Sequence, residues 1–263
     1  MSGSNPTEPR IYLIARPALD LDAFFAFLSD RGLDWRPSDD AGDAEHTVEV
    51  CGRLCYLSFT DDTSRIRFPN AAYVRNLIDK GHESVLEHAN WTFIIDRVSR
   101  AFTHQLVRHR IGFAYSQLSQ QYHDEREAEF VEPAGLSGDA KATWNSAVAQ
   151  SLDAYRRILA ASADSADADG REMDAEHRRL VRSAARSVLP NATATAIAVT
   201  ANARALRHFL SLRGATLGDV EMRLVSARLL EHLQSEAAAL FADFHLETAD
   251  DGWPLVTQRR DAA

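Results

Sequence analysis

The chain has 263 residues, of which 45% are hydrophobic and 25% charged, and its formal net charge is −9. These values are typical of a soluble globular protein and argue against a nucleic-acid-binding protein, because binding a polyanion requires a basic surface. No apolar run reaches transmembrane length and the polar N-terminus lacks the apolar stretch of a signal peptide, so a cytoplasmic protein without membrane attachment is expected.

The first part of the chain predicts one strand and three helices. The strand covers residues 10–15, and the helices cover 21–28, 47–59 and the segment between Pro69 and Gly81, with a polar loop at 36–46. The only two cysteines, Cys51 and Cys55, are four residues apart and share a face of their helix. We expect them to act as small hydrophobic residues, and a nucleophilic thiol is the less favoured alternative.

The next segment, residues 81–88, reads GHESVLEH. Its histidines, His82 and His88, are six residues apart and fall on different helix faces, so no metal site is expected. A strand at 91–95 and a helix at 99–109 follow, and Gly112 then allows the chain to turn.

The second half of the chain predicts mostly helices. A polar connection at 125–139 leads to helices at 143–161 and 172–188, joined by an Ala/Ser/Asp-rich stretch, 160–169, that is either helix continuation or a solvated hairpin. A strand at 193–200 precedes a helix at 203–213, which Asn202 caps and Gly214 closes, and a last helix covers 219–244. The pattern indicates a helix-rich α/β (α+β) fold around a small mixed sheet. One domain is expected over residues 1–263, with a disordered tail at 1–9 and a C-terminal extension at 245–263.

The triplet Arg108-His109-Arg110 precedes a run of hydroxyl and amide side chains. Arginine forks match phosphate oxygens, and serine and glutamine can bond to the edge of a heterocycle, so the segment suits a phosphorylated, ring-bearing ligand. The alternative is that the two arginines only complement the C-terminal end of their helix.

A second polar cluster lies on the predicted helix 203–213. Arg204 and His208 share one face of an ideal helix, whereas Arg213 is about half a turn away and points elsewhere. The alternative is a solvated helix with Arg207 and Arg213 facing outward. No glycine-rich dinucleotide motif and no P-loop occurs, so arginines and helix ends must hold any nucleotide.

Four motifs, in this order along the chain, resemble those of the flavin-dependent thymidylate synthases. They are GHES-x-x-EH at 81–88, RHR followed by eight residues and serine at 108–119, AR-x-VLP at 185–190, and NAR-x-x-x-x-F-x-x-L-R at 202–213. The resemblance spans residues 48–244. It implies a homotetramer with active sites shared between subunits.

The resemblance also implies a reaction and its residues. A one-carbon unit from methylenetetrahydrofolate and a hydride from NADPH, both by way of FAD, convert dUMP to dTMP, with UMP as a further possible substrate. Arg213 is implied as the catalytic residue, because a cation beside the pyrimidine carbonyls favours the ionised imide. FAD is assigned to Ser84, Arg108, His109, Arg110, Gln117, Asn202, Arg204 and His208. The nucleotide is assigned to Gln105, Arg108, Gln117, Leu118, Ser119, Gln120, Gln121, Arg186 and Arg213.

One position departs from the family pattern. The family usually has arginine two residues after the motif serine, where this chain has Gln121. Loss of a charge-assisted phosphate contact there corresponds to about 1–2 kcal/mol. The departure leaves open a UMP-preferring 5-methylase of nucleoside antibiotic synthesis. Two alternatives of other classes also stay open: a non-catalytic nucleotide or flavin binder and, less favoured, an RNA-binding protein.

Overall fold

A computed structural model of the chain describes residues 8–59, 69–166 and 175–259, with residues 162–166 described by their backbone alone. The chain divides into two compact units. One contains residues 1–10, 95–108 and 115–198, and the other contains residues 11–94, 109–114 and 199–263. The single domain over residues 1–263 stays a prediction.

The secondary structure is predominantly helical. The helices are α1 (Leu21–Asp30), α2 (Asp43–Leu54), α3 (Asn70–Asp79), α4 (Arg100–Leu106), α5 (Gly138–Ala166), α6 (Ala175–Ala185), α7 (Ala203–Arg213) and α8 (Val220–Glu236), with 3₁₀ turns at Glu83–His88, Arg186–Val188 and Ala238–Phe241. The strands are β1 (Arg10–Ala15), β2 (Asn90–Ser99), β3 (Phe113–Gln117), β4 (Ala194–Asn202), β5 (Phe244–Thr248) and β6 (Pro254–Gln258). No helix in the described ranges is long and apolar enough to cross a membrane.

The strands form two small sheets. Four of them pair in the order β1-β2-β4-β3, and β5 and β6 form a separate antiparallel hairpin. At one end of the β3–β4 pair the Leu118 amide donates to the Ala196 carbonyl. At the other end the Asn202 amide donates to the Gly112 carbonyl, so this pair is antiparallel. The helix-rich α+β prediction is confirmed. The sheet was predicted to be mixed, whereas the β3–β4 pair and the β5–β6 hairpin are both antiparallel.

Local signals placed some helices correctly. The Asn202 side chain accepts from the Ala205 amide at 2.8 Å, and Gly214 follows the last residue of α7, as predicted. Pro69 precedes α3, and Gly81, at a φ of +69°, comes directly after its C-terminal turn. Proline is favoured at a helix start because the N–H group that it lacks has no partner within the helix there. Glycine is favoured beyond the helix end because, without a Cβ atom, it adopts a positive φ at little cost.

Other boundaries were wrong. The predicted helix 219–244 ends at Glu236, and residues 244–258 of the expected extension form the β5–β6 hairpin. Helix α2 begins at Asp43, inside the predicted loop, and α5 begins at Gly138. Helix α5 continues to Ala166, so the stretch 160–166 is helix; the rest of that stretch and residues 1–7 of the predicted tail lie outside the described residues.

Candidate active site

The turn after the RHR triplet packs against the start of α7. Gly112 has a φ of +74°, and a Cβ atom there would lie 2.7 Å from Ala205 Cβ and 2.7 Å from Asn202 Nδ2. The backbone N–H of Asn202 donates to the Gly112 carbonyl at 3.2 Å. Only glycine meets both demands, a left-handed backbone and a close approach. Gly112 therefore allows the segment after the RHR triplet to pack against the start of α7, where the second polar cluster begins.

A cavity of about 360 Å³ lies beside this contact, in the range of small-ligand sites. Its polar lining includes Arg204 and His208 of α7, together with Glu83 and Glu87 of the 3₁₀ turn. Arg204 donates to Glu87 Oε1 at 2.6 Å and lies 3.7 Å from Glu83, and its side chain is 49% exposed. The predicted grouping of Asn202, Arg204 and His208 is therefore found around one cavity.

The imidazole of His109 connects the RHR triplet to the end of α7. Arg213 Nε donates to His109 Nε2 at 3.1 Å. The His208 ring lies 6.3 Å from the His109 ring, and Phe209 lies 5.2 Å from it. Burial lowers the pKa of His109, and the charges of Arg213 and His208 lower it further, so the neutral imidazole is favoured.

The arginines of α7 differ from the sequence expectation. Arg207, expected in the solvated alternative to face outward, is only 4% exposed and binds both oxygens of Asp243 at 2.6 and 2.7 Å. Arg213 is hydrogen-bonded to the imidazole of His109, and the ring of His208 lies beside the same imidazole, although the ideal helix placed Arg213 and His208 on different faces. The helix period does not say which distant segment covers each face.

Predicted nucleotide residues of the other unit lie at the end of β3 and in the turn after it. Gln117 donates to Thr103 Oγ1 at 3.0 Å, which ties the strand to α4. The Ser119 carbonyl accepts from the Tyr122 and His123 amides, which makes a tight turn around the motif serine.

Gln121, the residue that departs from the family pattern, is bound within the protein. Its Nε2 donates to Ser183 Oγ at 3.1 Å, and Arg186 donates to the same oxygen at 3.4 Å. The end of α6 and the 3₁₀ turn Arg186–Val188 therefore bring Ser183 and Arg186 close to Gln121, two residues after the motif serine.

Helix α6 also supplies cations that the sequence reasoning missed. Arg182 donates to the Tyr122 carbonyl at 2.7 Å, and Arg179 donates to the Tyr122 hydroxyl at 3.3 Å and lies over its ring. On the helix predicted over residues 172–188, their spacing of four and seven residues from Arg186 places all three on one face, and this was the signal available.

The remaining predicted residues differ in their exposure. Exposed positions are occupied by Ser84, Gln105, Arg108, Arg110 and Leu118, whereas Gln120 is only 6% exposed. Their predicted roles stay predictions.

The surroundings of Cys51 do not favour a nucleophilic thiol. Burial raises the pKa of Cys51, and the neighbouring Cys55 raises it further, which disfavours a thiolate. Within the described ranges, no three His, Cys, Asp or Glu residues group closely enough to hold a metal ion.

Comparison with known proteins identifies a matching family and several similar proteins. Residues 38–237 match the family model described as thymidylate synthase complementing protein. The chain is similar to the flavin-dependent thymidylate synthase of Mycobacterium tuberculosis (strain H37Ra), with 40% identity over 244 residues, covering 88% of this chain and 91% of the relative. It is 39% identical to the protein of that name from Mycobacterium avium (93% and 96% covered) and 42% identical to that from Mycobacterium sp. strain KMS (95% and 97% covered).

Proposed function

This chain belongs to the flavin-dependent thymidylate synthase family and is an enzyme of the methyltransferase type, and we propose that it methylates the pyrimidine 5-carbon of dUMP. The one-carbon unit comes from methylenetetrahydrofolate and the hydride from NADPH. The contact that carries the proposal is the junction of two motif segments, in which Arg213 is hydrogen-bonded to His109.

The cavity beside α7 fits part of a flavin nucleotide. Its lining combines the Arg204 guanidinium, the His208 imidazole and the Asn202 amide, which suit phosphate, ribose and ring edges. The Arg204–Glu87 pair is about half exposed on both sides and therefore weak, so the guanidinium can exchange its carboxylate for a phosphate. When bound, FAD supplies the hydride-transfer chemistry, which no amino-acid side chain offers.

Arg213 is the activating residue in this proposal. A fixed positive charge beside the pyrimidine carbonyls lowers the pKa of the ring imide, and each unit corresponds to about 1.4 kcal/mol. The ionised imide makes the 5-carbon a better nucleophile without a covalent thiol. Such a role agrees with the raised pKa of Cys51, which leaves that side chain protonated.

The nucleotide is held by residues around β3 and α6. Gln117, Ser119 and Arg186 are proposed to contact it, with the Arg186 guanidinium gripping the phosphate. Gln121 is neutral and already bonded to Ser183, so the phosphate receives one cation fewer than the family pattern provides. We propose dUMP as the main substrate, and UMP is the second candidate because of this departure.

The proposed assembly and cellular location are based on the resemblance to the family. We propose a cytoplasmic homotetramer in which each active site takes residues from more than one subunit. Light scattering of the purified protein tests this, since a monomer of 29.2 kDa would contradict it.

The decisive assay follows NADPH oxidation and pyrimidine methylation with dUMP and, separately, with UMP. We expect a yellow protein with the absorbance of oxidised flavin and dTMP as the product. Higher kcat/KM for UMP would identify the UMP-preferring alternative. Flavin binding without turnover of either nucleotide would identify a non-catalytic relative, and salt-sensitive retention of RNA would indicate the RNA-binding alternative.

A further inference from the structure

Helix α7 carries three arginines whose partners differ in charge. Arg207 faces the carboxylate of Asp243, and Arg204 faces Glu83 and Glu87. For Arg213, the partner described in the structure is instead the Nε2 atom of His109. A carboxylate fixes a guanidinium and cancels its charge, whereas a neutral imidazole fixes it and leaves the charge in place.

We propose that His109 is a positioning residue for Arg213, which it holds by accepting the Nε–H bond as the neutral, Nδ1-protonated tautomer. The inference rests on the proposed activating role of Arg213. With Nε–H committed to His109, the two terminal amino groups of the guanidinium remain for the pyrimidine. The imidazole thus sets the direction of the guanidinium without reducing the positive charge that activates the substrate.

Protonation of His109 breaks this arrangement. The ring then carries a hydrogen on both nitrogens, so Nε2 can no longer accept, and the imidazolium repels the guanidinium. Among the charged or titratable groups, Arg213 and His208, both on α7, act on the imidazole, and the rings of Phe113 and Phe209 flank it. Arg108 and Arg110 are its neighbours in the sequence.

The direction of the pH effect follows. Burial and the charges of Arg213 and His208 lower the pKa of His109 below the ordinary value of ~6.5, so the neutral form prevails at neutral pH. Activity is therefore lost as the pH falls below the pKa of His109, tenfold per pH unit for a single proton.

The test compares the pH dependence of kcat/KM for dUMP, per bound flavin, in the wild type and three variants. His109→Gln keeps an acceptor oxygen and cannot titrate, so we expect activity within about tenfold of wild type and no acid limb. His109→Leu has no acceptor, and we expect at least a ~100-fold loss at all pH values. His104→Gln, at an exposed histidine of α4 outside the candidate site, is the matched control and keeps the acid limb unchanged.

A second measurement does not depend on turnover. The pKa of His109, followed by NMR of the FAD-loaded protein with labelled histidine, is expected to rise in Arg213→Ala, since a neighbouring positive charge is removed. An acid limb that persists in His109→Gln, equal activity of the Gln and Leu variants, or an unchanged His109 pKa in Arg213→Ala would each overturn the inference. Loss of flavin from both His109 variants would also overturn it, by assigning the residue to cofactor retention.

The two proposals fail in different ways. Normal turnover by Arg213→Ala removes the activating role itself. An inactive Arg213→Ala combined with an unaltered acid limb in His109→Gln removes only the positioning role of His109.

Discussion

The arginines that hold the C-terminal hairpin differ from Arg213 of the candidate active site in what faces their charge. Arg207 and Arg223 are 4% and 0% exposed, and each binds both oxygens of one aspartate, Asp243 or Asp251. Arg213 meets a neutral imidazole. A guanidinium neutralised by a carboxylate can be buried and fixes structure, whereas one that keeps its charge is available to a ligand.

The largest effect is expected from Asp243→Asn, which leaves Arg207 buried beside a neutral amide. Removing one partner of a buried pair costs about 3–5 kcal/mol, so the free energy of unfolding should fall by that amount in denaturant titration. A loss below about 1 kcal/mol would show that this pair resembles a surface bridge.

The same pair predicts a pH dependence of stability. Burial raises the pKa of Asp243, but the hydrogen bonds and charge of Arg207 outweigh it, and the net pKa is lowered. The folded state therefore binds the proton less readily than the unfolded state. The stabilisation is present above about pH 4 and is lost as the pH falls below it, and this acid-sensitive part should be missing from Asp243→Asn.

Arg213→Ala should change catalysis rather than stability. Removing a charge that stabilises the ionised pyrimidine is expected to lower kcat/KM for dUMP about 10²–10³-fold, while flavin absorbance and unfolding stay close to wild type. Arg213→Lys is the control, because it keeps the charge without the planar fork. An unfolding loss as large as that of Asp243→Asn would place Arg213 among the structural arginines.

Gln121→Arg tests the site from the nucleotide side. An added guanidinium beside Arg186 should strengthen phosphate binding by about 1–2 kcal/mol, which lowers KM for dUMP roughly tenfold. Gln121→Lys separates the charge from the fork geometry. If KM is unchanged in both variants, residue 121 does not face the phosphate.

The smallest effect is expected from Glu87→Gln, the partner of Arg204 at the cavity. Both side chains are about half exposed, 49% and 45%, and exposed pairs contribute at most about 1 kcal/mol. Thermal or chemical unfolding should therefore change little. A loss of several kcal/mol would contradict the division between structural and ligand-facing arginines.

Some features of the fold and the site could be read from local sequence signals. Asn202 and Gly214 predicted both ends of α7, and the motifs predicted the family. The β5–β6 hairpin was missed although Asp251-Gly252 lies in its turn, with Gly252 at a φ of +79°. The helical spacing of apolar residues up to Leu240 favoured a longer helix, whereas in the structure the buried Arg223 binds Asp251 and the Trp253 carbonyl in the turn of the hairpin.

The sequence by itself determined where the polar clusters lie along the chain and which helix carries each of them, since caps and helix periods act within a few residues. Only the tertiary structure decided the partner of each arginine, as with Arg213 and His109, which are 104 residues apart. Arg207 and Arg213 are the same residue type on one helix, yet one faces a carboxylate and the other an imidazole. That difference arises from packing between distant segments, which no local pattern encodes.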